Sequence, residues 1–401
     1  MDLEVPQLVS QVAEIGKALD QHARADESSL ETRRLRRQLL DTSRRLTNAL
    51  QNEGQIVEGY LYGTIDVLLF KIGADLGIFQ TLVDAGKPVS LHELAVSSGA
   101  NEILLARIMR GLTSIGGVDE AGEEIYLPNK VTRAFTTIKG TSGLNLFHNV
   151  IHAGWMTFPK FLKETNYQNP TDPNEMPFNK QFNGEAYFDW LGRQPELLHS
   201  FHQFMTTQRI GHPQWLDFYP IEELVPGFNA SDPFAVFMVD VGGSVGHEIQ
   251  AVKKRFPNIP GRFVLEDRPA TIARVVNENG MEAIAHDFFT PQPIKGARAY
   301  YFRSVLHDWD DDRCRVILGH IRDAMKPGYS KILVNEFSIP VKGACTFATH
   351  SDFMVMSVNA AVERTERQWY DLIESVEGLK IEKIWTLEPD AESLLEVTLK
   401  A

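Results

Sequence analysis

Cysteine is nearly absent: Cys314 and Cys345 are the only two in 401 residues. Two thiols cannot staple a chain of this size, which excludes a disulfide scaffold and fits a reducing compartment. Long apolar runs are missing too. No stretch approaches the ~18 residues of a membrane-spanning helix, and the longest ones are broken by Gly, Lys or Asp. Met1 to Gln21 carries acids and no apolar h-region, so no secretory leader is expected. Positive charge is in deficit, with 40 Lys and Arg against 53 Asp and Glu and a net charge of −13. Nucleic acid is therefore not expected as a partner, because phosphate binding needs a basic face. A hydrophobic fraction of 43% excludes low-complexity disorder. What remains is an acidic, soluble, cytoplasmic protein of two or three domains, with no membrane partner.

Residues 1–50 are polar and helix-forming, with Arg33, Arg34, Arg36, Arg37, Arg44 and Arg45 interleaved among leucines. This pattern predicts an amphipathic helix packed on a neighbour or partner subunit; Glu27, Glu31 and Asp41 dilute the basic face that a membrane-surface helix would need. A helical apolar pattern follows from Leu61 to Phe79, with a turn at Gly77. Ser90-x-x-Glu93 reads as a capping box opening Leu91–Ser97. Gly99-Ala100-Asn101 then turns the chain into a helix over Ile103–Ser114, and Ile125–Leu127 reads as a short strand. Helix, turn, helix and wing give a winged-helix outline. Arg107 and Arg110 are too few for DNA on so acidic a chain.

The stretch Phe147–Phe228 is rich in aromatics and carries His148, His152, His199, His202 and His212. Helices are predicted over Met156–Glu164, Phe182–Leu191 and Glu196–Arg209. Such a lining suits a small-molecule pocket, although aromatics at helical spacing equally fill cores. After Pro226 the pattern alternates. Strands are predicted at Phe234–Val241, Phe263–Leu265, Met281–Ile284, Ala299–Ser304 and Lys331–Phe337. Helices are predicted at His247–Arg255, Pro269–Asn279 and Arg313–Met325 between them, and a terminal hairpin at Leu379–Thr386 and Ser393–Leu399. This is an α/β pattern with a largely parallel sheet.

Gly242-Gly243-Ser244-Val245-Gly246 sits between the first of these strands and its helix, where bare backbone lets a ligand approach closely. It does not satisfy G-x-G-x-x-G. The second strand ends in Glu266-Asp267, an acid placed for ribose hydroxyls. Asp287-Phe288-Phe289 after the third offers a carboxylate and ring faces for adenine. Together these describe an adenosine pocket. On the same edge lie His307 after the fourth strand, Glu336 in the fifth and Glu363 before the last helix. A histidine flanked by two acids suits a general base. No metal is expected, because the three lack tight ligand spacing in sequence.

Four stretches resemble fungal and plant small-molecule O-methyltransferases that use S-adenosylmethionine: Val239–His247, Leu306–Asp311, Ala324–Gly328 and Glu363–Glu366. Asn169–Pro173 with Pro177-Phe178 looks like the fungal branch. The resemblance covers residues ~55–401 and implies a Rossmann-like class I methyltransferase domain preceded by an all-helical/winged-helix dimerisation domain. The divisions are 1–55, a helical segment; 56–140, winged-helix dimerisation; 141–230, a helical substrate-pocket linker; and 231–401, the catalytic domain. It implies a homodimer acting on an aromatic or polyketide-type metabolite. Gly242 and Gly243 would line the methionine part of the cofactor, Asp267 its ribose, Asp287 and Phe288 its adenine, with Arg303 nearby. His307 would be the base, flanked by Glu336 and Glu363, and Asp308 would contact substrate or hold the loop. His152, His202 and Arg209 are further candidates on the substrate side. Where the family usually has a third glycine this chain has Ser244. Some fungal relatives instead catalyse dehydration or pericyclic ring formation with the cofactor as a fixed cation, often with a cationic residue in place of the histidine; His307 favours methyl transfer here.

Overall fold

The computed structural model describes residues 4–26, 29–207, 210–275, 280–388 and 392–400. The chain divides into two compact units, one up to Thr136 and one from Thr137 onward.

In the first unit the Arg-rich start forms two helices, α1 (Glu4–Ala25) and α2 (Leu30–Leu50). Ser29 caps α2 by accepting from the Thr32 amide, and Arg45 pairs with Glu4 at 3.1 Å across the two helices. Leu8 and Leu35 are buried, so the apolar stripe does find a neighbour. Next come α3 (Glu53–Asp75) and α4 (Ile78–Ala85), separated at Gly77, whose φ of +70° stops the helix. The winged-helix outline follows as β1 (Val89–Ser90), α5 (Leu91–Ser98), α6 (Glu102–Ser114), β2 (Asp119–Gly122), β3 (Ile125–Leu127) and α7 (Lys130–Ala134). The capping box at Ser90 forms in both directions with Glu93. The strands make an antiparallel sheet in the order β1-β3-β2.

The second unit opens with α8 (Ile138–Leu146), which runs through a π-helical turn at Phe147–Ile151 into α9 (His152–Glu164). Then come α10 (Pro177–Gln181), α11 (Tyr187–Gly192) and α12 (Pro195–Thr207). The single helix expected over Phe182–Leu191 is instead interrupted: Asn183 and Gly184, with φ of +60° and +80°, end α10 before α11 starts. The expected helix Glu196–Arg209 is α12, and Arg209 lies outside the described residues.

The catalytic sheet is built from β4 (Val236–Val241), α13 (His247–Arg255), β5 (Arg262–Asp267), α14 (Pro269–Ile272), β6 (Glu282–Ala285), β7 (Ala299–Arg303), α15 (Asp311–Arg322), β8 (Lys331–Glu336), α16 (Thr346–Asn359), α17 (Glu366–Ser375), β9 (Leu379–Trp385) and β10 (Ser393–Leu399). The helix expected over Pro269–Asn279 is the short α14; 276–279 lie outside the described residues. The strand order is β6-β5-β4-β7-β8-β10-β9, with β10 antiparallel to both its neighbours. Strands β4, β7 and β8 are apolar runs because helices cover both faces. Val239, Tyr300 and Ile332 pack with α15 and α17 residues such as Ile317 and Leu372; Phe237, Leu265 and Tyr301 pack on the opposite face with Trp215 and Ile249. The chain winds outward one way through β5 and β6, then the other way through β7 and β8. A crevice therefore opens at the carboxyl ends of β4 and β7, where connections leave in opposite directions.

Candidate active site

The glycine loop follows β4 at that switch point. Gly242 and Gly243 donate their amides to the Glu266 carbonyl at 2.8 and 3.2 Å, folding the loop against β5. The space is closed to side chains. A Cβ at Gly243 would lie 2.4 Å from the Asp240 carboxyl carbon and 2.6 Å from Leu265 Cδ1. At Gly242 (φ +73°) it would meet Val305 Cγ2 at 2.9 Å, with Phe288 Cε1 at 3.8 Å. Ser244 itself adopts φ +55°, so the residue replacing the third glycine holds the left-handed conformation despite its Cβ. Its amide donates to Asp267 Oδ2 at 2.8 Å, and the Arg268 amide donates to Oδ1 at 2.7 Å. Burial raises Asp267, and those amides with Arg268 oppose the rise.

Beneath the loop, both oxygens of Asp240 are buried without a hydrogen-bond partner, and burial, Glu248 and Asp267 push this carboxyl well above its ordinary range. Across the crevice, Asp287 accepts from the Phe289 amide at 3.0 Å, and Phe288 stands edge-on to Phe289 and Trp309. A backbone cradle that a methyl would fill, an acid at the end of β5 and an acid with an aromatic face after β6 fit an adenosine-bearing cofactor with a polar tail.

The second half of the site is the turn Leu306–Asp308 after β7. Glu336, at the end of β8, accepts through Oε1 from the amides of Val305, Leu306 and His307 at 2.9, 2.9 and 3.4 Å. Glu363 Oε1 lies 2.9 Å from His307 Nδ1 and also accepts from Ser351 Oγ at 2.8 Å. A carboxylate only accepts, so Nδ1 carries the proton and Nε2 is left to receive one. Nε2 lies 3.7 Å from Asp308 Oδ1. Burial lowers the His307 pKa, but the charges of Glu363, Glu336 and Asp308 outweigh it and hold the imidazole well above the usual histidine range. Burial also raises Asp308, against the pull of His307. In space, donor atoms of His307, Glu336 and Glu363 lie within 4.8 Å of one another, a closeness that their sequence spacing hides and that a metal ion could also use.

Arg303 is committed elsewhere. Its guanidinium pairs with Glu248 and lies 3.5 Å from Glu392, and the side chain is 9% exposed. It also donates to His247 Nε2 at 3.4 Å. These partners lie at the start of α13 and β10 and gave no signal in the sequence, because acids at helix and strand ends are ordinary. His152 sits at the start of α9 with its ring 5.1 Å from Trp155, and His202 lies on α12 beside Phe201; burial lowers both pKa values and favours neutral rings. Phe147, Tyr187, Phe201 and Phe204 form one cluster with Met354 and Val358 of α16. Tyr187 feels the charge of Asp308, which connects that cluster to the histidine turn.

A family described as O-methyltransferase domain matches residues 168–378. Methyltransferase cfoC of Aspergillus candidus is 69% identical over 399 residues, 99% of each chain. Demethylsterigmatocystin 6-O-methyltransferase of Aspergillus parasiticus is 34% identical over 91% of this chain and 92% of its own. Among solved structures, LepI in complex with SAM is 29% identical with a TM-score of 0.87, covering 98% of this chain and 100% of that one. A structure described as a pericyclic reaction enzyme matches with the same identity, TM-score and coverage. With the sheet order and the two-part crevice already in place, these likenesses are decisive: the chain belongs to the O-methyltransferase family of S-adenosylmethionine-binding enzymes.

Proposed function

We propose that this enzyme methylates a hydroxyl of an aromatic or polyketide-type secondary metabolite, with His307 as general base. The observation that carries this is the Nδ1 contact of His307 with Glu363 at 2.9 Å, which reserves Nε2 for the acceptor's proton. When bound, S-adenosylmethionine supplies the electrophilic methyl group. The glycine loop would hold its methionine part, Asp267 its ribose, and Asp287 with Phe288 its adenine. His307 withdraws the hydroxyl proton, Glu363 and Glu336 stabilise the resulting imidazolium, and Asp308 orients the acceptor on the Nε2 side. The aromatic cluster of α8 to α12 supports a flat, apolar acceptor, with His152 and His202 as neutral hydrogen-bonding groups. Arg209 belongs to the same proposal as a substrate contact.

The likeness to a pericyclic reaction enzyme favours a second reading, ring formation or dehydration with the cofactor bound but not consumed. Mass spectrometry of the purified protein, S-adenosylmethionine and a fungal metabolite extract separates the two. Methyl transfer gives a product heavier by one methyl group and S-adenosylhomocysteine in equal amount. A product isomeric with its precursor, or lighter by water, with the cofactor intact would overturn it.

We also propose a homodimer joined through the first unit. Helix α3 supports this, leaving Val57 (55%), Tyr60 (84%), Leu61 (68%) and Ile65 (47%) exposed. Light scattering of the purified protein tests it, and a monomer at micromolar concentration would sink it. No described helix is long and apolar enough to cross a membrane, and both cysteines are free. A cytoplasmic location is consistent with both facts.

A further inference from the structure

Arg364 is among the most deeply buried large side chains, 1% exposed, and the proton transfer described above makes no use of it. A buried guanidinium is costly unless its donors are matched, and here they are. Nη1 donates to the Leu306 carbonyl at 2.9 Å and Nη2 to the Trp309 carbonyl at 2.8 Å. Nε and Nη2 both reach Asp311 Oδ1, at 3.0 and 2.8 Å. Those carbonyls flank His307 and Asp308. The guanidinium also lies 5.1 Å from the centroid of the buried Trp369 ring, which blocks any retreat from the turn.

The turn Leu306–Asp308 is a single turn of 3-10 helix, too short to satisfy its own terminal groups. Its amide end is taken by the Glu336 carboxylate, while its carbonyl end is taken by Arg364. An anion at the amide pole and a cation at the carbonyl pole both follow the turn's dipole. The residues on either side of Glu363 grip the same turn. The Val362 amide donates to the His307 carbonyl at 3.0 Å, Glu363 takes the imidazole, and Arg364 takes the flanking carbonyls. The adjacent residues Glu363 and Arg364 thus hold the ring and the backbone that carries it.

We infer that Arg364 is a positioning residue that sets the His307–Glu363 distance by clamping the carbonyl end of the histidine turn. The inference rests on the His307–Glu363 pair described above, and goes beyond it. Lysine keeps the charge but not the diverging donors, since an ammonium is a point charge and a guanidinium a planar fork. Arg364→Lys therefore separates the clamp from simple charge balance.

The test needs no acceptor substrate. Proton NMR of the full-length protein reads the far-downfield signal of a histidine N–H held by a carboxylate, and loss of the signal in Glu363→Gln assigns it. The expected result is loss of the signal in Arg364→Lys, with S-adenosylhomocysteine binding unchanged by calorimetry. In Arg364→Ala, millimolar guanidinium added to the buffer restores the signal. A signal kept at its wild-type position in Arg364→Lys overturns the clamp alone. Loss of the signal together with loss of S-adenosylhomocysteine binding, or no rescue by guanidinium, overturns it as well and leaves Arg364 a structural residue. A wild-type spectrum with no such proton, or one that Glu363→Gln leaves intact, overturns the pair and the clamp together.

Discussion

The two halves of the crevice are held in place by opposite means. The turn bearing His307 is fixed by charge, with Glu336 on its amides, Glu363 on its ring and Arg364 on its carbonyls. The glycine loop is fixed largely by shape: Gly243 has no room for a methyl, and the Asp240 carboxyl beneath it makes no hydrogen bond. One half is sensitive to the loss of a charge that keeps the volume. The other is sensitive to added volume that carries no charge. Proton removal and cofactor binding are therefore separable by mutation.

The largest effect is expected at His307. His307→Ala removes the base and should lower turnover by about 10²–10⁴-fold, while S-adenosylhomocysteine binding measured by calorimetry stays as in the wild type. Loss of binding in that variant would break the separation. Gly243→Ala is the counterpart. The added methyl collides with the Asp240 carboxyl at 2.4 Å, so cofactor affinity should collapse and stability fall by about 1–3 kcal/mol. Calorimetry and thermal melting read both, and an unchanged affinity would show that the loop relaxes freely.

Glu363→Gln comes next, with an expected loss of about 10–100-fold in turnover and a change in pH dependence. Glu363 is the largest of the charges that raise His307. A base works only when deprotonated, so wild-type turnover rises with pH on a limb above the ordinary histidine range, and the glutamine variant moves that limb to lower pH. Because the folded-state pKa is the higher one, the cluster adds stability below about pH 6.5 that fades as pH climbs through the raised value. A limb that stays put, or moves upward, contradicts the assignment. Asp267→Asn should be the mildest, because asparagine keeps one acceptor for the Ser244 and Arg268 amides. The cofactor KM should rise about tenfold or less with turnover unaltered, and a fall in turnover alone would place Asp267 in the wrong half.

Much of this is legible in the sequence because parallel sheets write themselves plainly. Strands buried on both faces give unbroken apolar runs, and β4, β7 and β8 were readable for that reason. Their carboxyl ends then bring Gly242, Asp267, His307 and Glu336 to one edge. Glu363 was readable from its motif and not from periodicity, since it lies in an irregular segment before α17. The partners of Arg303 were not readable. Glu248 and Glu392 are 144 residues apart in sequence, and pairing across such a distance leaves no periodic trace. The break between α10 and α11 was hidden as well, because Asn183 supplies the first left-handed residue and asparagine is equally at home in a helix cap.

The π-helical turn at Phe147–Ile151 bears on what changes of length this region tolerates. The His152 amide donates to the Phe147 carbonyl five residues back, one more than α-helical spacing allows. Deleting any single residue of the five restores ordinary spacing and turns everything that follows by about 100°. His152 would then swing off the face it shares with Phe147 and Trp155, while the helix itself survived. A gap of one residue in this stretch would separate descendants by the shape of their acceptor pocket without disturbing the fold that carries the cofactor.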